Sequence, residues 1–184
     1  MALFNERYRI EPARLRGRDY SAPGHYFVTI CTRNRRRFFG NVVNGVMHRS
    51  AIGEIVAEEW RRTATVRRNV QLDEWIVMPD HLHGIIRIVG PVPSEEPCPP
   101  DAAQRPRRPA ARFSPNSLGS MIGQFKSVCT KRIREAGYDD FEWQARFFDH
   151  IIRDNDSLIS KRTYILENPF RWESEKCYPE NLDM

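Results

Sequence analysis

A chain of 184 residues is long enough for one domain with additions and a buried core, and four cysteines without a CxxC pair indicate neither a zinc knuckle nor a disulfide framework. No stretch reaches the ~20 apolar residues that span a bilayer, and the opening MALFNERYRI lacks an apolar signal region, so a cytoplasmic protein with no membrane partner is expected. The net charge of +5 rests on 25 arginines and 4 lysines against 24 acids, and planar guanidinium forks suit phosphates and base edges.

Residues 1–24 are arginine-rich and without period, a basic N-terminal arm. HYFVTICT (25–32) is apolar on both alternating faces, which predicts a strand covered on both sides. RNRRRFFGN follows as a basic loop. Ser50 is placed to cap a helix running to about Arg68, with Ile52, Val56 and Trp60 four apart on one face. VQLDEWIVM (70–78) and HLHGIIRIV (81–89) read as two strands joined by a tight turn at Pro79-Asp80. Residues 90–117 hold eight of the thirteen prolines between an acidic and a basic run, which predicts an extended insertion with nothing to bury.

A second amphipathic helix begins near Ser117, with Leu118, Met121, Ile122, Phe125, Cys129 and Ile133 on one face, and ends at Gly137. FEWQARFFDHIIR (141–153) reads as an extended segment leading into a strand. Asp154 or Asp156 caps a last helix, expected to stop at Asn168 because Pro169 disfavours helix in the residue before it. The order strand, helix, strand, strand, helix, strand, with a helix appended, predicts an α+β chain with a ferredoxin-like antiparallel sheet. The main domain is then 25–172, with residues 173–184 as a C-terminal tail.

His81 and His83 stand at i and i+2 on the third predicted strand, so both rings share one face and Leu82 takes the other. On its own the pair fits a metal site or a polar rim of a sheet. In the last helix Leu158, Ile165 and Leu166 cluster at 100° per residue, while Tyr164 falls away from that stripe. Asn168 lies one turn after Tyr164, so amide and phenol share a side.

Four blocks in this order, MPDHLHGIIRI, GSMIGQFKSVCTKRI, WQARFFDHIIRD and RTYILENPFRW, resemble the REP-associated tyrosine transposases of the HUH superfamily of single-strand DNA transposases. The resemblance covers about residues 25–172 without the proline-rich insertion. It implies that Tyr164 is the nucleophile, that His81 and His83 are metal ligands, and that Asn168 completes the site where related transposases often carry glutamine. It implies Mg²⁺ or Mn²⁺ as cofactor, single-stranded DNA with palindromic REP-type hairpins as partner, and work as a monomer or homodimer. A phenolate suits the chemistry, since it both attacks a phosphodiester and leaves again more readily than a serine alkoxide.

Arg33, Arg35, Arg36 and Arg37 form a compact phosphate-binding candidate, and Lys126, Lys131 and Arg134 extend the path along the second helix. Trp143, Phe147 and Phe148 are candidates for stacking bases, though at least two of them are expected in the core. The expected function is a metal-dependent, site-specific single-stranded DNA endonuclease and strand transferase. The alternative is a ferredoxin-like module that binds DNA or RNA hairpins without cutting them.

Overall fold

The computed structural model describes residues 19–90 and 116–177. Most of the basic arm and of the proline-rich insertion therefore lies outside the described residues. The elements are β1 (Gly24–Cys31), β2 (Gly40–Val43), β3 (Val46–Arg49), α1 (Ala51–Val66), β4 (Val70–Val77), β5 (His81–Ile88), α2 (Leu118–Glu135), β6 (Phe148–Ile152) and α3 (Asn155–Cys177).

Four strands form one antiparallel sheet in the order β4-β5-β1-β6. That is the ferredoxin-like α+β arrangement which the order of elements predicts, with the histidine strand in the middle. Tyr26, Val28 and Ile30 of β1 and Leu82 and Ile86 of β5 pack with α1 and α2 in the main core. Their alternates Phe27 and Ile85 face the other way and form a smaller cluster with Ile152 and Ile165, joined by Leu158 and Tyr164 of α3. The sheet is thus covered on both faces, as the unbroken apolar character of β1 and β5 requires.

The helix starts follow capping chemistry. The Ser50 hydroxyl accepts from the Gly53 N–H at 3.1 Å, and the Ser117 hydroxyl accepts from the Ser120 N–H at 3.3 Å. Asp154, not Asp156, caps α3: its Oδ1 accepts from the Ser157 N–H at 2.7 Å. Arg132 ties α2 to α1, reaching Glu59 and Glu58 at 2.7 Å each.

Three features depart from the sequence reading. The segment after the basic loop folds into the β2–β3 hairpin, where Val43 pairs with Val46 across Asn44-Gly45. Both turn residues have positive φ, 52° and 71°, as a primed turn demands; the Asn-Gly dipeptide is the signal that announces it. Next, α3 does not stop at Asn168 but runs through Pro169 to Cys177, into the range expected to be a tail. The hairpin holds the continuation: the Gly45 N–H donates to Glu173 Oε2 at 2.6 Å, and Gly45 sits against the Phe170 ring. Finally, Tyr164 does not lie away from the face that covers the sheet. Leu166 is exposed instead, and Tyr164, Ile165 and Asn168 turn inward. The sheet face beneath is half histidine, so the helix face that covers it is half polar.

Among the described residues, no helix is long and apolar enough to cross a membrane.

Candidate active site

His81 and His83 are not at a rim. They are 3% and 5% exposed on a central strand, with β1 on one side and β4 on the other. A buried imidazole needs partners for both ring nitrogens, and each has them. His81 Nδ1 lies 2.6 Å from Asp80 Oδ1, and since a carboxylate only accepts, this nitrogen carries a proton. His83 Nδ1 lies 2.9 Å from Thr29 Oγ1, the residue opposite it in the β1–β5 register. With the outer nitrogens held, the inner ones come close to each other. The two Nε2 atoms stand 2.9 Å apart.

Burial pushes the His83 pKa down to about 2, with His81, Arg35 and Lys161 adding electrostatic opposition to a proton. The ring is neutral, the form that ligates a metal.

The α3 helix delivers the remaining groups. The Tyr164 hydroxyl lies 3.4 Å from His83 Nε2, within the same chain. Its ring meets His83 and Phe27 edge-on at 5.2 and 6.1 Å, and Arg171 covers it at 5.8 Å. Asn168, one turn further along, is buried. Trp172, another turn on, approaches the His81 ring to 5.8 Å and carries the Arg37 guanidinium over its own ring. The position of α3 is set from β4: Arg162 holds Asp73 in a bidentate pair, Nε–Oδ1 2.9 Å and Nη2–Oδ2 2.7 Å. Asp73 sits where the β4–β5 register slips between Leu72 and Trp75, a bulge that re-aims the side chain.

The donor set fits a divalent ion. Two nitrogens each ~2.1 Å from an ion and a right angle apart stand about 3.0 Å from each other, near the separation found here. Carboxylate and hydroxyl behind the rings are the usual outer support of ligating histidines. Among the described residues no three His, Cys, Asp or Glu side chains converge. Asn168, buried on α3 one turn after Tyr164, carries an amide oxygen of the kind that could add to such a pair.

The predicted phosphate-binding residues divide. Arg33, Arg35, Lys126, Lys131 and Arg134 line one groove of about 1230 Å³, together with Trp143. Arg36 and Arg37 are not on it. Three of the four loop arginines face acids: Arg33 pairs with Glu142, Arg36 with Asp140 at 2.7 Å, and Arg35 Nε with Asp80 Oδ2 at 3.3 Å. Burial pushes the Lys126 pKa down to about 8, and its ammonium donates to the carbonyls of Gln144 and Arg146 at 2.6 and 2.9 Å. Trp143 packs against Phe39, Phe125 and Phe141, whereas Phe148 is exposed.

Sequence reasoning missed Thr29, Asp80, Asp73 and Arg162. Asp80 had a signal, since it stands next to His81 in MPDHLH. The others depend on strand register and on the bulge, which no local pattern reveals.

A protein of Haemophilus influenzae whose function is uncharacterised is 33% identical to this chain over 167 residues, 90% of this chain and 91% of its own length. This chain belongs to the same family. No family model matches it. Among solved structures, a REP-associated tyrosine transposase bound to a REP hairpin shares the fold, with TM-score 0.54 and 19% identity over 86% of this chain and 74% of that one. A candidate transposase from Deinococcus radiodurans aligns with TM-score 0.44 at 15% identity, over 85% of this chain and 98% of that one. The fold of this chain is thus the one it shares with the REP-associated tyrosine transposase.

Proposed function

We propose that the chain is a metal-dependent endonuclease and strand transferase for single-stranded DNA, acting through a 5′-phosphotyrosine intermediate on palindromic REP-type hairpins. One observation carries the reading: the Tyr164 hydroxyl stands 3.4 Å from a buried histidine whose neighbour's Nε2 is 2.9 Å away. Those distances support a nucleophile and an ion-binding pair supplied by one chain. The transposase of the same fold that binds a REP hairpin supports the substrate class. DNA as substrate puts the work in the cytoplasm.

In the first step the Tyr164 oxygen attacks phosphorus. An O–P bond forms, the bond from phosphorus to the 3′-oxygen breaks, the phenol loses its proton and the 3′-oxygen gains one. The 5′-phosphate stays on Tyr164 with its diester energy kept, so attack by another 3′-hydroxyl reverses the step and joins a new strand. His81, His83 and Asn168 would hold Mg²⁺ or Mn²⁺, which supplies charge neutralisation at the phosphate and at the departing oxygen. Asp80 and Thr29 keep both imidazoles in the ligating orientation. Ile165 and Phe27 pack beside Tyr164 and limit its motion.

The test uses single-stranded hairpins from the source genome and looks for a covalent protein–DNA adduct. Wild-type protein with Mn²⁺ is expected to form it, and Tyr164→Phe is expected to bind the same DNA without adduct or cut product. The same site in duplex form is expected to resist cutting. Cleavage by Tyr164→Phe at the wild-type rate would pass the nucleophile's role to another group, and binding without any cleavage by wild type would favour a hairpin-binding module.

A further inference from the structure

Arg35 lines the groove and also pairs with Asp80, the carboxylate behind His81. The other paired arginines of its loop meet exposed acids, Glu142 and Asp140, with side chains 45% and 60% exposed. The acid that Arg35 meets, Asp80, is 6% exposed, while the Arg35 side chain is 53% exposed and lines the groove with Lys126, Lys131 and Arg134. One carboxylate is thus divided between two donors: Oδ1 takes His81 Nδ1 at 2.6 Å and Oδ2 takes Arg35 Nε at 3.3 Å.

The backbone makes this arrangement deliberate. Asn34 and Arg35 both adopt left-handed φ, 54° and 53°, a conformation that non-glycine residues rarely take. The chain turns back there, and the Arg35 guanidinium lies against Asp80 and Cys31, with Nη1 3.0 Å from the Cys31 sulfur. The main chain of Asp80 is fixed independently, because its carbonyl accepts from the Thr32 N–H at 2.9 Å and the Thr32 hydroxyl at 3.0 Å. Only the side-chain end of the relay is free to respond.

We infer that Arg35 is a positioning residue that couples the groove to the histidine pair, so that a nucleic-acid strand in the groove and a divalent ion at His81 and His83 strengthen each other's binding. The inference rests on the proposed function. A strand phosphate in the groove competes with Asp80 for the guanidinium. When Arg35 turns to the phosphate, the carboxylate charge falls undivided on the His81 Nδ1 proton. A stronger acceptor there makes Nε2 the better ligand, as outer carboxylates do at metal-bound histidines. A cation also moves away from the place the dication takes. By linkage the ion must tighten the strand by the same factor.

The experiment uses full-length Tyr164→Phe protein, which keeps the strand intact. Mn²⁺ binding is followed by electron paramagnetic resonance of free Mn²⁺, with and without a saturating single-stranded oligonucleotide; strand binding is followed by anisotropy with and without Mn²⁺. The expected result is at least about fivefold tighter Mn²⁺ with the strand present, and an equal gain for the strand with Mn²⁺ present. In the Arg35→Ala background both ligands still bind but the factor falls severalfold, to the part that comes from the strand phosphate meeting the ion directly. Arg35→Lys, which keeps the charge without the fork, restores part of it.

A factor of one in the starting protein while both ligands bind overturns the inference and leaves the proposed function standing. So does an unchanged factor in Arg35→Ala. No Mn²⁺ binding, or no strand binding, by the starting protein overturns the proposed function and the inference with it.

Discussion

At the residue scale, each candidate site side chain has structural contacts apart from the chemistry proposed for it, and the two separate in measurement. The Tyr164 hydroxyl makes one long contact, so Tyr164→Phe is expected to change stability by less than about 0.5 kcal/mol. His81→Ala leaves the buried Asp80 carboxylate without its ring partner, and a loss of about 1–3 kcal/mol is expected, read as a lower urea midpoint with an unchanged slope. An unchanged midpoint would mean that the Asp80–His81 contact contributes nothing to the fold. Gly84, beside His83, is fixed by packing: a Cβ there would stand 2.5 Å from Cζ2 of the fully buried Trp60. Gly84→Ala therefore forces the strand or the indole to shift, at about 1–3 kcal/mol. Spacing and resemblance single out the histidine pair, Tyr164 and Asn168 as candidates, and the nearness of Tyr164 to His83 agrees with that grouping. Thr29 was not legible in the sequence, because its role exists only through its pairing opposite His83.

At the element scale, the main strands and the caps were legible because their causes are local. Apolar runs marked β1, β4 and β5, and serine or aspartate marked three helix starts. The long α3 was not, since Pro169 argues locally for a stop and only contacts from Gly45 and the rest of the β2–β3 hairpin argue against it. An interior proline costs about 3 kcal/mol, so those distant contacts are what let the helix continue. The Asp73–Arg162 pair is the second tie on α3. Burial alone would raise the Asp73 pKa, but hydrogen bonds from Arg162 and the Glu74 N–H, and the charges of Arg162 and His25, leave it below the usual aspartate value. A depressed folded pKa gives stability that is present above the unfolded value of ~3.9 and is lost as pH falls through the folded one. Asp73→Asn is thus expected to lower stability by no more than about 1 kcal/mol for a partly exposed pair at pH 6–7. The gap to wild type should close below about pH 4 in thermal melts. A gap that stays constant down to acid would assign the effect to packing.

At the scale of the whole molecule, the positive charge is arranged rather than merely abundant. The arginine run was legible as a cluster, but not that acids from residues 140–142 would face two of its members, because that segment is brought to the loop by long-range contacts such as the bridge between Thr32 and Trp143. Paired arginines must leave an acid before they meet a phosphate, whereas Arg134 and Lys131 sit on the groove wall with less to give up; the Lys131–Glu135 contact is a loose 3.8 Å between exposed groups. Cations that replace condensed counterions on a single strand steepen the salt dependence of binding by about 0.7 per phosphate contact. Lys131→Ala with Arg134→Ala is accordingly expected to flatten the slope of log affinity against log salt by about 1.4, with the fold unchanged. Arg33→Ala with Arg36→Ala is expected to flatten it less and to loosen the 140–142 segment instead, seen as faster amide exchange there. Equal slopes for the first pair and for wild type, measured by anisotropy from 50 to 300 mM salt, would move the strand off this groove and onto the Arg37 and Arg171 side of Tyr164.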